Sequence, residues 1–113
     1  MINLPKYWRK ITSLKTLDVD CFKWFDRVNG NSYFACKVTI NQGMKNQINF
    51  NVPFQYGYGD HYFDVVAKKL QQYGVTDKNL YRWQDQQDSK AIIRKNVYDN
   101  CKKKELTTIK GEY

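Results

Sequence analysis

The dipeptide Asn29-Gly30 stands between two runs in which apolar and polar residues alternate, and no other feature constrains the fold as tightly. Asn-Gly suits a two-residue type I′ turn, whose central residues both need positive φ. Before it, "LDVDCFKWF" (17–25) sets Leu17, Val19, Cys21 and Phe25 on one side. After it, "SYFACKVTI" (32–40) sets Phe34, Cys36, Val38 and Ile40 on one side. A two-residue loop pairs Val28 with Asn31, Phe25 with Phe34, Cys21 with Val38 and Val19 with Ile40. Directly opposed residues share a face, so the two apolar sets coincide. A one-residue slip would put them on opposite faces. A third run, "QINFNVPF" (47–54), alternates Ile48, Phe50, Val52 and Phe54 with polar residues. A loop at Gly43-Met44-Lys45 pairs Val38 with Phe50 and Cys36 with Val52, extending the same face. Pro53 removes a ladder donor and marks an edge strand.

The pattern then changes period. In "DHYFDVVAKKLQQYG", Phe63, Val66, Ala67 and Leu70 recur at helical spacing, which predicts a helix over about 61–73. Asp60 suits the N-cap and Gly74 the position just past the C-cap. That apolar stripe is expected to cover the three-stranded face. "TDKNLYRWQDQ" (76–86) reads as a short helix carrying Leu80, Tyr81 and Trp83, and "KAIIRKNVYDN" (90–100) as a fourth strand. The expected fold is α+β: a three-stranded antiparallel meander packed on one helix (βββα), then a further short helix and a fourth strand. The 113 residues suit one domain. Residues 1–15 read as a basic arm or short helix, 16–100 as the core, and 101–113 as a basic tail, exposed or partly disordered.

The charge is uneven. The chain carries a formal +8, with +4 in residues 1–15, zero in 16–89 and +4 in 90–113. A neutral body with basic flanks is the expected footprint of a protein that meets a polyanion. No apolar run approaches the roughly 20 residues that span a bilayer, so no membrane partner is expected. The first fifteen residues lack the apolar centre of a secretory signal, which points to a cytoplasmic chain. Cys21, Cys36 and Cys101 form no CxxC pair, an arrangement suited to buried reduced thiols rather than a disulfide framework or zinc site.

The stretch "FQYGYGDHYFD" (54–64) gathers aromatics, glycines, aspartates and the chain's single histidine. Catalysis there would make His61, with Asp60 or Asp64, an acid–base pair of a hydrolase. Asp60 and Asp64, four apart on a helix and so able to face the same way, are carboxylates of the kind that suit a magnesium ion. A strand-to-helix junction accounts for the same residues: Gly57 and Gly59 make the bend, Asp60 caps the helix and Asp64 meets its positive end. Tyr56, Tyr58, His61 and Tyr62 then form a contact surface rather than a catalytic centre. Neither metal nor cofactor is expected.

The binding residues are expected elsewhere. Phe22, Trp24, Tyr33 and Lys37 fall on the side of the hairpin opposite the core, where aromatics beside a lysine suit base stacking, unless "LPKYW" (4–8), the fourth strand or the 76–86 segment covers them. Lys10, Lys15, Arg94, Lys95, Lys102, Lys103 and Lys104 would supply phosphate contacts without sequence readout. The expectation is a non-enzymatic nucleic-acid-binding module, for RNA or DNA. The alternative is an inhibitor of a host protein or of an RNA-guided defence complex, since aromatics and basic residues also dominate protein interfaces.

"NSYFACKVTIN" followed by "YGYGDHYFDVVAKKL" and a later basic strand resembles a pattern in small accessory proteins of tailed phages, over roughly residues 17–105. That resemblance implies a phage product made in a bacterial cytoplasm, and no activity travels with it. The βββα order is also similar to that of the double-stranded-RNA-binding domain. That family's lysine-rich helix start is replaced here by "DHYFDVV".

Overall fold

The computed structural model describes residues 14–110, so the expected N-terminal basic arm, Lys10 included, lies outside the described residues except for Leu14 and Lys15. The elements run β1 (Thr16–Asp26), β2 (Asn31–Ile40), β3 (Ile48–Tyr56), α1 (His61–Gln72), α2 (Trp83–Ser89), β4 (Ile92–Tyr98) and α3 (Lys103–Thr107). The fold is α+β, with one four-stranded mixed sheet ordered β3-β2-β1-β4. The meander β1-β2-β3 is antiparallel and β4 lies parallel to β1. A parallel neighbour requires a crossover, and α1 and α2 lie in the segment that makes it.

The hairpin register differs from the expected one by two residues. Cys21 opposes Cys36, Val19 opposes Val38, and Asp26 opposes Asn31, leaving a four-residue loop. Only Gly30 in that loop takes a positive φ, so a type I′ turn does not form. Asp26 decides the matter. Its carboxylate accepts the amides of Val28 (3.0 Å) and Asn29 (3.3 Å) and the Asn29 side chain (2.8 Å). An Asp that closes on the backbone two residues ahead favours its own turn geometry. Those hydrogen bonds hold the Asp26 carboxyl below its usual range. The apolar faces still coincide, because a shift of two preserves strand parity.

The β2–β3 pairs Val38–Phe50 and Cys36–Val52 stand as expected, and β3 is an edge strand. The alternation fails at Pro53. Phe34 opposes Gln55 while Cys36 opposes Val52, so Pro53 and Phe54 together face Ala35. Pro53 cannot donate to the ladder, and the resulting bulge turns Phe54 onto the opposite face.

The main core lies between the sheet and α1. Leu17, Val19, Cys21, Phe34, Cys36, Val38, Ile40, Phe50 and Val52 meet Phe63, Val66, Ala67 and Leu70, all buried. Cys21 and Cys36 are free thiols there. The hydrogen bond with the Cys21 thiol, and burial after it, push the Cys36 thiol up. The second helix begins at Trp83, later than expected. Leu80 precedes it, fully buried in the same core, while Trp83 is exposed.

Two expectations need correction. The sheet does not pack on one helix alone, and residues 101–110 are not an exposed tail. Cys101 is tied by its amide to the Lys23 carbonyl (2.9 Å). The chain then forms α3 across the sheet face opposite α1. Leu106 and Ile109 are buried against Ala35, with Phe22, Trp24, Tyr33 and Phe54 packed around them. Glu105 accepts the Lys102 amide at 2.9 Å and holds the start of this short helix.

Asn41 is buried with φ +53 at the end of β2. Its side-chain oxygen accepts the amides of Lys15 (2.7 Å) and Thr16 (3.2 Å), fixing where β1 begins. Asn41→Ala leaves both donors without that partner and gives up a residue type that tolerates positive φ. The expected cost is about 1 kcal/mol, since water reaches the exposed Lys15 backbone. Urea unfolding measures it, and an unchanged midpoint would show the clamp to be energetically idle.

Candidate nucleic-acid interface

Three clefts adjoin at one end of the sheet, where β1, β3 and β4 finish and β2 starts. The first, about 440 Å³, is lined by Trp24, Phe25, Arg27 and Val28 on one wall and Asn100, Lys102 and Lys103 on the other. The second, about 450 Å³, shares Trp24, Phe25 and Asn100 with it and reaches Lys23, Tyr58 and Gly59. The third, about 350 Å³, shares Tyr58 and is walled by Tyr56, Tyr81, Asp60 and His61.

The rings expected to stack bases are engaged already. Tyr33 stacks between Trp24 (5.3 Å between centroids) and Phe54 (5.0 Å), and Phe22 stacks on Tyr98 (5.1 Å). Lys103 extends over the Trp24 ring at 5.6 Å and Lys37 over Phe22 at 5.8 Å. With Leu106 and Ile109 above them, these residues make a second small core rather than an open platform. The bulge at Pro53 is what brings Phe54 into it.

The basic residues divide. Lys102, Lys103 and Lys104 are exposed and brought together by α3. Lys15 is exposed but sits before β1, nine positions ahead of Trp24, a span of about 30 Å of strand. Arg94 and Lys95, adjacent on β4, point to opposite faces. Arg94 forks onto Asp18 through Nε and through Nη2 (3.1 Å to Oδ2), which raises its pKa further. Lys95 lies on the α1 side, its ammonium 4.3 Å from the Phe63 ring centroid. Neither joins the α3 lysines in one patch.

The junction 54–64 forms the bend expected of it, but its residues play partly different parts. Asp60 occupies the N-cap position of α1 but makes no side-chain cap. Its Oδ1 accepts the Tyr81 hydroxyl instead, at 2.9 Å. That bond raises the Tyr81 phenol above its ordinary value. Gly59 takes φ +62; Gly57 does not, and is required for close packing instead. Tyr56 and Tyr58 are exposed, and the His61 side chain is about half exposed, its Nδ1 3.9 Å from Asp64. Tyr62 is buried, contrary to a surface role, and burial pushes its phenol up to about 12. Among the described residues, no group of three His, Cys, Asp or Glu side chains comes together to hold a metal ion. No described helix is long and apolar enough to cross a membrane.

Sequence reasoning missed Phe25, Arg27 and Tyr81. Phe25 keeps the alternation of β1, but the strand runs past the cover of α1, and the ring ends 52% exposed. Arg27 enters the site only because the loop is four residues long. Tyr81 reaches it through the fold of residues 74–82, which carries no periodic signal. Compared with protein-family models, curated proteins and solved structures, the chain matches none.

Proposed function

We propose that the protein is a small non-enzymatic module that binds single-stranded nucleic acid at the cleft between the 27–30 loop and α3. The observation that carries this reading is the lining of that cleft. Phe25 offers an exposed ring beside Trp24, and Arg27, Lys102 and Lys103 stand around them. Asp26, the acid in the same wall, has its carboxylate turned into the loop's own amides. An exposed ring among exposed cations is what a base and its phosphates require, and Lys104 extends the run. The +8 charge of the chain favours a polyanion on encounter. The phage-like sequence pattern makes a bacterial cytoplasm the proposed setting.

The test is fluorescence anisotropy with a labelled oligonucleotide across a salt series. The logarithm of affinity should fall with the logarithm of salt concentration by about 0.7 per phosphate contacted. Substituting Lys102, Lys103 and Lys104 together with alanine should flatten the slope by about 2. Phe25→Ala should weaken binding while leaving the slope alone. The reading fails if neither variant alters affinity. Salt-insensitive capture of one host protein, indifferent to the lysine substitutions, would favour the inhibitor reading over this one.

A further inference from the structure

We propose that the cleft of Tyr56, Tyr58 and Tyr81, floored by Asp60, seats a cationic side chain, arginine or lysine, of a protein partner. This cleft adjoins the second cleft at Tyr58, shares no lining residue with the cleft between the 27–30 loop and α3, and is of opposite electrostatic character.

Three observations meet here. First, the cleft of about 350 Å³ is large enough to take a side chain and is walled chiefly by tyrosines. Tyr56 is 56% exposed, Tyr58 69% and Tyr81 39%, so the main core does not account for these rings. Second, the cleft is negative within a chain of +8. Asp60 is not spent on capping α1, and both Asp60 and Asp64 bear on the Tyr81 phenol. Two cations of the neighbourhood are otherwise engaged. Lys68 pairs with Asp64 at 3.3 Å, and Lys23 donates to the Gly59 carbonyl at 2.6 Å from the neighbouring cleft. His61, 3.9 Å from Asp64, is the one remaining basic group among the lining residues. Third, the fold already seats one ammonium against this junction, since Lys23 also lies 5.4 Å from the Tyr62 ring centroid. A π face attracts a cation, and a carboxylate beside it fixes the cation's position. A phosphate would meet the same carboxylate and be repelled.

The Asp60–Tyr81 hydrogen bond gives the arrangement its rigidity. It ties the N-terminus of α1 to the segment before α2, so two walls of the cleft are set before anything binds. A guanidinium could take the carboxylate's second oxygen while Tyr81 keeps the first.

The deciding experiment is an NMR titration of the full chain with acetyl-Gly-Arg-Gly-amide and with its citrulline counterpart, a neutral isostere. The arginine peptide should shift the ring signals of Tyr56, Tyr58 and Tyr81 saturably. The citrulline peptide should bind about tenfold more weakly, the difference a single good charge contact makes. Asp60→Asn, which can still accept from Tyr81, should weaken the arginine peptide by about fivefold. Tyr58→Ala, at the most exposed ring, should do the same. Equal affinity for both peptides would overturn the proposal, as would the absence of saturable shifts up to about 0.1 M peptide. Because Lys102–Lys104 take no part here, their alanine variant should bind the arginine peptide as the parent does.

Discussion

Leu106→Ala is expected to destabilise the protein by about 2–5 kcal/mol and to release α3 from the sheet. Leu106 is fully buried, the central contact between α3 and Ala35. A helix of five residues has no stability of its own, because the nucleation cost exceeds what so few hydrogen bonds return. It persists by docking, and Leu106 and Ile109 are the apolar side chains that dock it. Truncating the first removes transfer free energy and leaves a cavity among rings already locked by stacking. Trp24 gives a local reporter, since Lys103 lies over it and Leu106 packs nearby. In the variant, acrylamide should quench tryptophan emission more strongly, and the urea midpoint should fall. Lys102, Lys103 and Lys104 would lose their fixed position as well, so oligonucleotide affinity should drop in the same variant. A midpoint unchanged within about 0.5 kcal/mol would mean that α3 is not docked in solution.

That result bears on what could be read from the chain alone. The core face was legible because β-strand parity survives register error: Leu17, Val19, Cys21, Cys36 and Val38 are buried whether the loop has two residues or four. The helix of 61–72 was legible because its apolar spacing and Gly74, at φ +76, agree. The loop length was not, since Asn29-Gly30 signals one turn while the Asp26 carboxylate three residues earlier stabilises another. Nor was α3. "KKKELTTIK" (102–110) offers two apolar residues, Leu106 and Ile109, and no period can be drawn through two points. Their partners, Phe22, Trp24 and Tyr33, were visible as an aromatic row on the wrong side of a strand. A row of that kind calls for either a ligand or a cover, and nothing local in sequence distinguishes the two. The cover comes from some eighty residues downstream, across a parallel crossover. Long-range closure of this kind decides which rings stay open, because it packs the row of Phe22, Trp24 and Tyr33 into a second core and leaves Phe25 and Tyr58 exposed.

Gly57→Ala is expected to cost about 1–3 kcal/mol, for a reason distinct from the usual glycine argument. Gly57 does not occupy the left-handed region, so backbone strain does not enter. A Cβ there would stand 2.6 Å from Cε1 of Phe34 and 2.7 Å from Cδ2 of His61. His61 is about half exposed and can swing away; Phe34 is only 1% exposed, locked in the main core beneath β2 and α1. The Phe34 clash must therefore be relieved by moving the core or by pushing β3 and the start of α1 apart. Gly59 is the control. It has φ +62, and a Cβ added there would meet nothing within 4 Å, so Gly59→Ala meets only conformational strain, about 1 kcal/mol. Asparagine separates the two mechanisms, since it tolerates positive φ but adds bulk. Gly59→Asn should recover most of what Gly59→Ala loses, whereas Gly57→Asn should be worse than Gly57→Ala. A double-mutant cycle with Phe34→Leu locates the clash: the smaller ring-free side chain should give a coupling energy of favourable sign with Gly57→Ala. If the two substitutions are instead additive, Phe34 is not the neighbour that excludes the methyl group. Because Gly57 and His61 both line the tyrosine cleft, displacement of His61 in Gly57→Ala should also move the ring signals of Tyr56 and Tyr58.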